Sequence, residues 1–292
     1  MSRSLNQMRP EERRVGAALA TIFAFRMLGL FMILPVLARH VERWPDATPL
    51  LVGIAIGAYG LTQALLQIPF GVMSDHIGRK PVIAGGLVLF AVGSIVAAQA
   101  QSIEVIILGR ALQGSGAVAA AVMALAADLT REEQRVKVMA MIGMSIGVAF
   151  SAALVIGPII DGWFGLAGIF WFTALMACCG LLVLYLAVPN PVTVRVHRDA
   201  GAVPAELGRV LSDSRLVGLD IGILVLHMIL TASFVVLPLI LRDRLALDPQ
   251  QHWHVYLPVL ATSIVVALPC IIVAERYRQM KMMLMLSVAA LA

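Results

Sequence analysis

Phe31-Met-Ile-Leu34-Pro35-Val-Leu-Ala-Arg39 and Phe234-Val-Val-Leu237-Pro238-Leu-Ile-Leu-Arg242 share four of nine residues at an offset of 203. Each closes a long apolar run on an arginine. Asp75 to Lys80 and Glu275 to Met280 echo one another at a similar offset, 200. Corresponding ends that fall on the same side of the apolar runs describe a parallel repeat of a multi-span unit.

The surrounding sequence says what solvent the repeat needs. Sixty per cent of the 292 residues are hydrophobic, 13% are charged and the mean hydropathy is +0.92. A soluble protein carries about 25% charged residues, so lipid must be the solvent for most of this chain. Spans need ~20 mostly apolar residues. They are expected at 15–38, 50–72, 82–98, 105–127, 138–160 and 166–188, then at 216–241 and 255–274. A ninth begins near Met282 and stops at Ala292. The first apolar run is too long for a cleavable signal sequence and reads as a span that stays. The expectation is an all-α polytopic membrane protein of two six-helix bundles. Residues 1–188 form the first bundle, and 189–215 are a central cytoplasmic loop with a candidate amphipathic helix at 202–211. Residues 216–292 begin a second bundle that is truncated in this chain, which is therefore expected to be a piece of a longer protein.

Charge placement orients the chain. With the N-terminus inside, sixteen of the 22 Lys and Arg fall in inner segments. Only Arg39, Arg43, Arg242 and Arg244 fall outside, and Arg26 and Arg110 lie within spans. That asymmetry follows the positive-inside rule. It accounts for the net charge of +5 without a nucleic-acid partner. Cys178, Cys179 and Cys270 sit in apolar runs without metal-ligand spacing. Gly114-Ser-Gly116 lacks the Lys-Ser/Thr ending of a phosphate loop. No metal site, nucleophile triad or cofactor is expected, and no enzyme activity. The oligomeric state does not follow from the sequence.

Three ordered stretches carry chemistry. They are Gly71-Val-Met-Ser-Asp75-His76-Ile-Gly78-Arg79-Lys80-Pro81, Gly109-Arg110-Ala-Leu-Gln113-Gly114-Ser-Gly116-Ala117, and Gly157-Pro158-Ile-Ile-Asp161-Gly162. Together they resemble the three signature motifs of the major facilitator superfamily, and the chain is similar to its drug:proton antiporter branch. The resemblance implies the major facilitator fold, a bacterial inner-membrane location and two coupled partners, protons and a small-molecule substrate. It also implies that Gly71, Asp75, Gly78, Arg79, Lys80 and Asp128 form a latch between the two halves in the outward-open state. Arg110 is implied in proton coupling, and Gly157, Pro158 and Gly162 in antiport. Two residues depart from the family pattern: His76 replaces a Lys or Arg, and Asp161 replaces a glycine.

The residues also read physically. A cation inside a span costs at least ~2.5 kcal/mol, so Arg110 and Arg26 must face a cavity or a partner. For Arg26, substrate contact and structural hydrogen bonding both stand. Gln63, Gln67 and Gln113 offer hydrogen bonds to a substrate or between helices. No Asp or Glu lies in the middle of spans one to six, which leaves Asp220 and His227 on span seven as the titrating candidates. They are seven residues apart and share a helical face. A neutral His227 bonded across helices is the other reading. The expected function is proton-coupled efflux of small organic compounds by alternating access. The alternatives are proton- or anion-coupled uptake of a small anion, motivated by the two arginines, and an inactive truncated membrane protein.

Overall fold

The computed structural model describes residues 8–37, 40, 44, 47–190, 208, 211–245, 247, 251–277 and 279–291. The candidate helix at 202–211 falls almost entirely outside the described residues.

The first span is α1, Pro10–Met32, followed by one turn, α2, Leu34–Leu37. Pro10 needs no hydrogen-bond donor at the first helical position. Glu11 and Glu12 sit in the first turn, where the helix dipole favours negative charge. The break at Ile33 stands just before Pro35, whose missing N–H cannot continue the helix. Thr48 then caps α3, Pro49–Ile77, by accepting from the Leu51 N–H at 3.3 Å. Gly78 ends α3 at φ 102°, a left-handed angle that glycine tolerates, and α4 runs over Arg79–Ala98.

The fourth span is not one helix, contrary to expectation. It is α5, Ile103–Ser115, and α6, Ala119–Leu129, separated at 116–118. Gly116 packs against the Gly86 backbone carbonyl there, so the interruption lets two main chains touch. The fifth and sixth spans are continuous in α7, Glu132–Ala187, and the chain reverses at Gly165 (φ 66°, ψ −171°). The stretch between them, expected as a short loop, is helix up to that residue. The second half supplies α8 (Ser214–Leu245), α9 (Trp253–Arg276) and α10 (Met280–Leu291). Among the described residues six helical segments, with α5 and α6 taken together as one, are long and apolar enough to cross a membrane.

Packing divides the first bundle into three levels. One apolar cluster contains Met32, Leu37, Val52, Ile103 and Phe170, at the end that carries Pro35. A second contains Leu19, Ile83, Leu87, Leu125 and Ile142, toward the end that carries Arg79. Between them, around Tyr59 and Phe90, lies a layer with buried polar side chains. Gly93 and Gly109 bring α4 and α5 into backbone contact: a Cβ on Gly93 would stand 2.6 Å from the Gly109 carbonyl oxygen. Leu65, Met144, Val148, Leu182 and Leu186 are exposed, apolar surface suited to lipid or to another span.

The second half meets the first near the Pro35 end. α8 packs on α2 and α9 on α7. Phe31, Phe150, Phe234 and Tyr256 form a chain of ring contacts with centroid separations of 5.0, 5.6 and 6.5 Å.

Candidate functional site

At the Gly78 end, Arg79 gathers three helices. The left-handed Gly78 turns the chain so that Arg79 points back to α3. Its Nη1 donates to Ser74 Oγ at 2.7 Å and pairs with Asp75 Oδ1 across the Gly78 turn. Its Nε donates to Asp128 Oδ2 on α6 at 3.1 Å. Arg79 is 2% exposed and the Asp128 side chain 0%. Gly71 lies against α6, where an added Cβ would stand 3.3 Å from Ala120 Cβ. Lys80 is buried, donates to the Val188 carbonyl at 2.7 Å and lies 5.6 Å from the Tyr185 ring. His76 is exposed and bonds back to Val72 of its own helix.

One tie at this end was not anticipated. Glu12 accepts from Arg131 Nε at 2.8 Å, from Nη2 at 2.9 Å and from the Arg131 backbone N–H at 3.2 Å. This fork joins the start of α1 to the start of α7 and raises the Arg131 pKa above its ordinary value. An acid beside a cluster of arginines at the mouth of a span was the available signal.

The central layer is built differently. Arg110 is fully buried. Its Nη1 donates to Gln113 Oε1 at 2.8 Å, and its Nε points to the Ala55 carbonyl at 3.4 Å. Gln113 Nε2 donates in turn to Ser94 Oγ at 2.7 Å. Arg26 donates from Nη2 to Gln63 Oε1 at 2.9 Å. Both guanidinium groups lie near the Tyr59 ring, Arg110 at 4.8 Å and Arg26 at 5.8 Å from its centroid. The structure thus brings Arg26, Arg110, Gln63 and Gln113 together, with Tyr59 as the unforeseen link. Arg26 Nε and Nη1, Arg110 Nη2, Tyr59 Oη and Gln67 Oε1 are buried without a hydrogen-bond partner among the described residues.

Gly157 and Pro158 are both buried in α7. A Cβ on Gly157 would stand 2.9 Å from the Met32 carbonyl oxygen, so glycine permits α1 and α7 to touch there. Gly162 is exposed. Asp161 accepts from His40 Nε2 at 2.7 Å, which ties the residues after α2 to α7. Asp220 and His227 lie on exposed faces of α8, and neither meets the arginines. His227 Nδ1 instead stands 2.9 Å from the Ile223 carbonyl of its own helix. The three cysteines are free. No group of three or more potential metal ligands occurs among the described residues.

Buried arginines at mid-span, glycine-mediated helix contacts and an apolar exterior define a polytopic helical membrane protein built around a polar interior. Its family follows from comparison: the sequence profile of the Major Facilitator Superfamily matches residues 16–292, and the chain belongs to that family. The family consists of transporters, not enzymes. The chain is 50% identical over 275 residues to the inner membrane transport protein YajR of Escherichia coli K12. That match covers 94% of this chain and 60% of YajR, so the chain spans well under the full length of this relative. It is 32% identical over 141 residues to a class B tetracycline resistance protein of Escherichia coli, covering 47% of this chain and 34% of the relative. A bacterial homologue of the human lysosomal transporter Spinster, solved inward-facing and unoccupied, shares the fold. Its TM-score is 0.75 at 15% identity, over 93% of this chain and 64% of that one.

Proposed function

We propose that this chain contributes the first bundle and the start of the second to a proton-coupled exporter of small organic compounds. Residues 1–188, 189–215 and 216–292 are its three parts, and it sits in a bacterial inner membrane with its N-terminus in the cytoplasm. The observation that carries this reading is the fully buried Arg110, bonded to Gln113 at the centre of the bundle. A cation at that depth must respond to any charge that enters the interior. Arg26, Gln63 and Gln113 lie beside it, and His227 of α8 is the titrating candidate. The partial likeness to a tetracycline resistance protein supports an organic compound as cargo. Asp75, Arg79, Lys80 and Asp128, with Gly71 and Gly78, act as the latch on the cytoplasmic side. Gly157, Pro158 and Gly162 shape α7 for antiport.

Proton- or anion-coupled uptake of a small anion is the second reading. One observation favours it: neither Arg26 nor Arg110 is ion-paired to an Asp or Glu among the described residues. Substrate-dependent proton movement in proteoliposomes holding the full-length protein tests both. Proton release on cation or neutral export supports the exporter. Proton uptake with anions alone, or anion uptake driven by a counter-anion gradient without proton movement, supports the second reading. No proton movement with any compound refutes the exporter, and the absence of any anion-dependent flux as well refutes both.

A further inference from the structure

Arg26 and Arg110 share a ring but not an environment. Arg110 has a stack of neutral acceptors, Gln113, the Ala55 carbonyl and the Tyr59 face, and is sealed at 0% exposure. Among the described residues Arg26 has a single hydrogen bond, to Gln63. Its Nε and Nη1 are buried and empty-handed. A buried cation left this way costs several kcal/mol unless a counter-charge reaches it.

What faces Arg26 is a polar stripe on α3. Tyr59, Gln63 and Gln67 are spaced four residues apart, so they stack on one side of that helix. Gln63 already holds the guanidinium. The Tyr59 hydroxyl has no partner, and neither does Gln67 Oε1. A half-turn of the Gln67 amide exchanges that oxygen for its NH2, a change that leaves the shape of the side chain intact. The stripe then presents a guanidinium, a phenolic O–H and an amide N–H, all donors. Tyr59 is buried, whereas Gln63 and Gln67 are half-buried, so the stripe opens along the Gln67 side.

We propose that Arg26 is an anion subsite: an oxyanion of the transported compound, such as a carboxylate, seats on the free N–H groups of Arg26 with the Tyr59 hydroxyl and Gln67 as flanking donors. This inference rests on the transporter reading and holds for either direction of transport. Tyr59 and the Phe90 ring, 5.9 Å from the Arg26 guanidinium, supply aromatic walls beside the charge. The favoured compound is therefore an aromatic or otherwise planar organic anion. Arg110, sealed at 0% exposure, sets the positive potential of the layer without touching the ligand.

The test uses full-length protein in detergent and follows thermal unfolding with benzoate, benzamide and benzylammonium at matched ionic strength, with inorganic phosphate as a second oxyanion. Benzoate is expected to raise Tm dose-dependently, while benzamide and benzylammonium leave it unchanged. Phosphate is expected to act more weakly than benzoate, because it lacks the ring. Arg26→Gln should weaken the benzoate response at least tenfold, Arg26→Lys less so, and Tyr59→Phe severalfold at unchanged Tm without ligand. If Arg26→Gln does not fold, the Lys and Phe variants carry the test. Equal shifts by benzoate and benzamide, no shift by either anion, or a full benzoate response in the Arg26 and Tyr59 variants would each overturn the subsite. Proton movement that persists after such a failure would leave the transporter reading standing and remove only this inference.

Discussion

Arg79 and Arg26 are both 2% exposed, yet they are held in opposite ways. Arg79, at the end of the bundle, meets Asp75, Asp128 and Ser74. Arg26, at the middle, meets one neutral amide and keeps two nitrogens unpaired. A cation neutralised by carboxylates binds its helices together and has little left to offer a ligand. A cation held by neutral groups retains its charge for whatever enters. Depth alone therefore does not tell a structural arginine from a binding one; the charge of its neighbours does.

Four substitutions sharpen or break that contrast. Arg110→Ala has the largest expected effect: substrate-driven proton movement in proteoliposomes disappears while membrane insertion, followed by membrane fractionation, is retained. Normal coupling in that variant would make Arg110 structural only. Arg79→Met comes next, because it strands the fully buried Asp128 carboxylate. It should cost about 3–5 kcal/mol in reversible unfolding, the range for breaking a buried ion pair. Asp75→Asn is milder, since the Asp75 side chain is 21% exposed and Asp128 still holds Arg79. Turnover should fall severalfold with the KM for substrate little changed, and unchanged turnover would remove the latch role. The smallest loss of stability is expected for Arg26→Met, which exchanges an uncompensated charge for an apolar side chain of similar length. Its unfolding free energy should be no lower than that of wild type and up to about 1–4 kcal/mol higher. A loss as large as that of Arg79→Met would erase the distinction between the two arginines.

The Asp75–Arg79 pair could be read along the chain because the two residues flank Gly78, whose tight turn brings the end of α3 and the start of α4 together. Asp128 was also anticipated, since the signature motif that Arg79 belongs to names its partner. Glu12–Arg131 and His40–Asp161 were not, because each joins residues more than a hundred positions apart. The acid among arginines at Glu12 marks one member of such a pair, but nothing local names its partner until the helix ends are known to be neighbours. Asp161 shows the point well: the sequence marks it only as a departure from the antiporter pattern, and the fold gives it a histidine. The break at Gly116 leaves no mark in the hydropathy, which runs through it without change, while the cause is a carbonyl on another helix.

Hydropathy, the direct repeat and the ordered motifs by themselves determined that this is a membrane-spanning helical bundle of the facilitator type, and where most spans begin and end. They could do so because lipid forces every backbone group to be satisfied within its own helix, which makes each span a local property. Only the tertiary structure decided which buried charge is neutralised and which is left open. That outcome depends on the three-dimensional neighbours of each guanidinium, and these come from other helices.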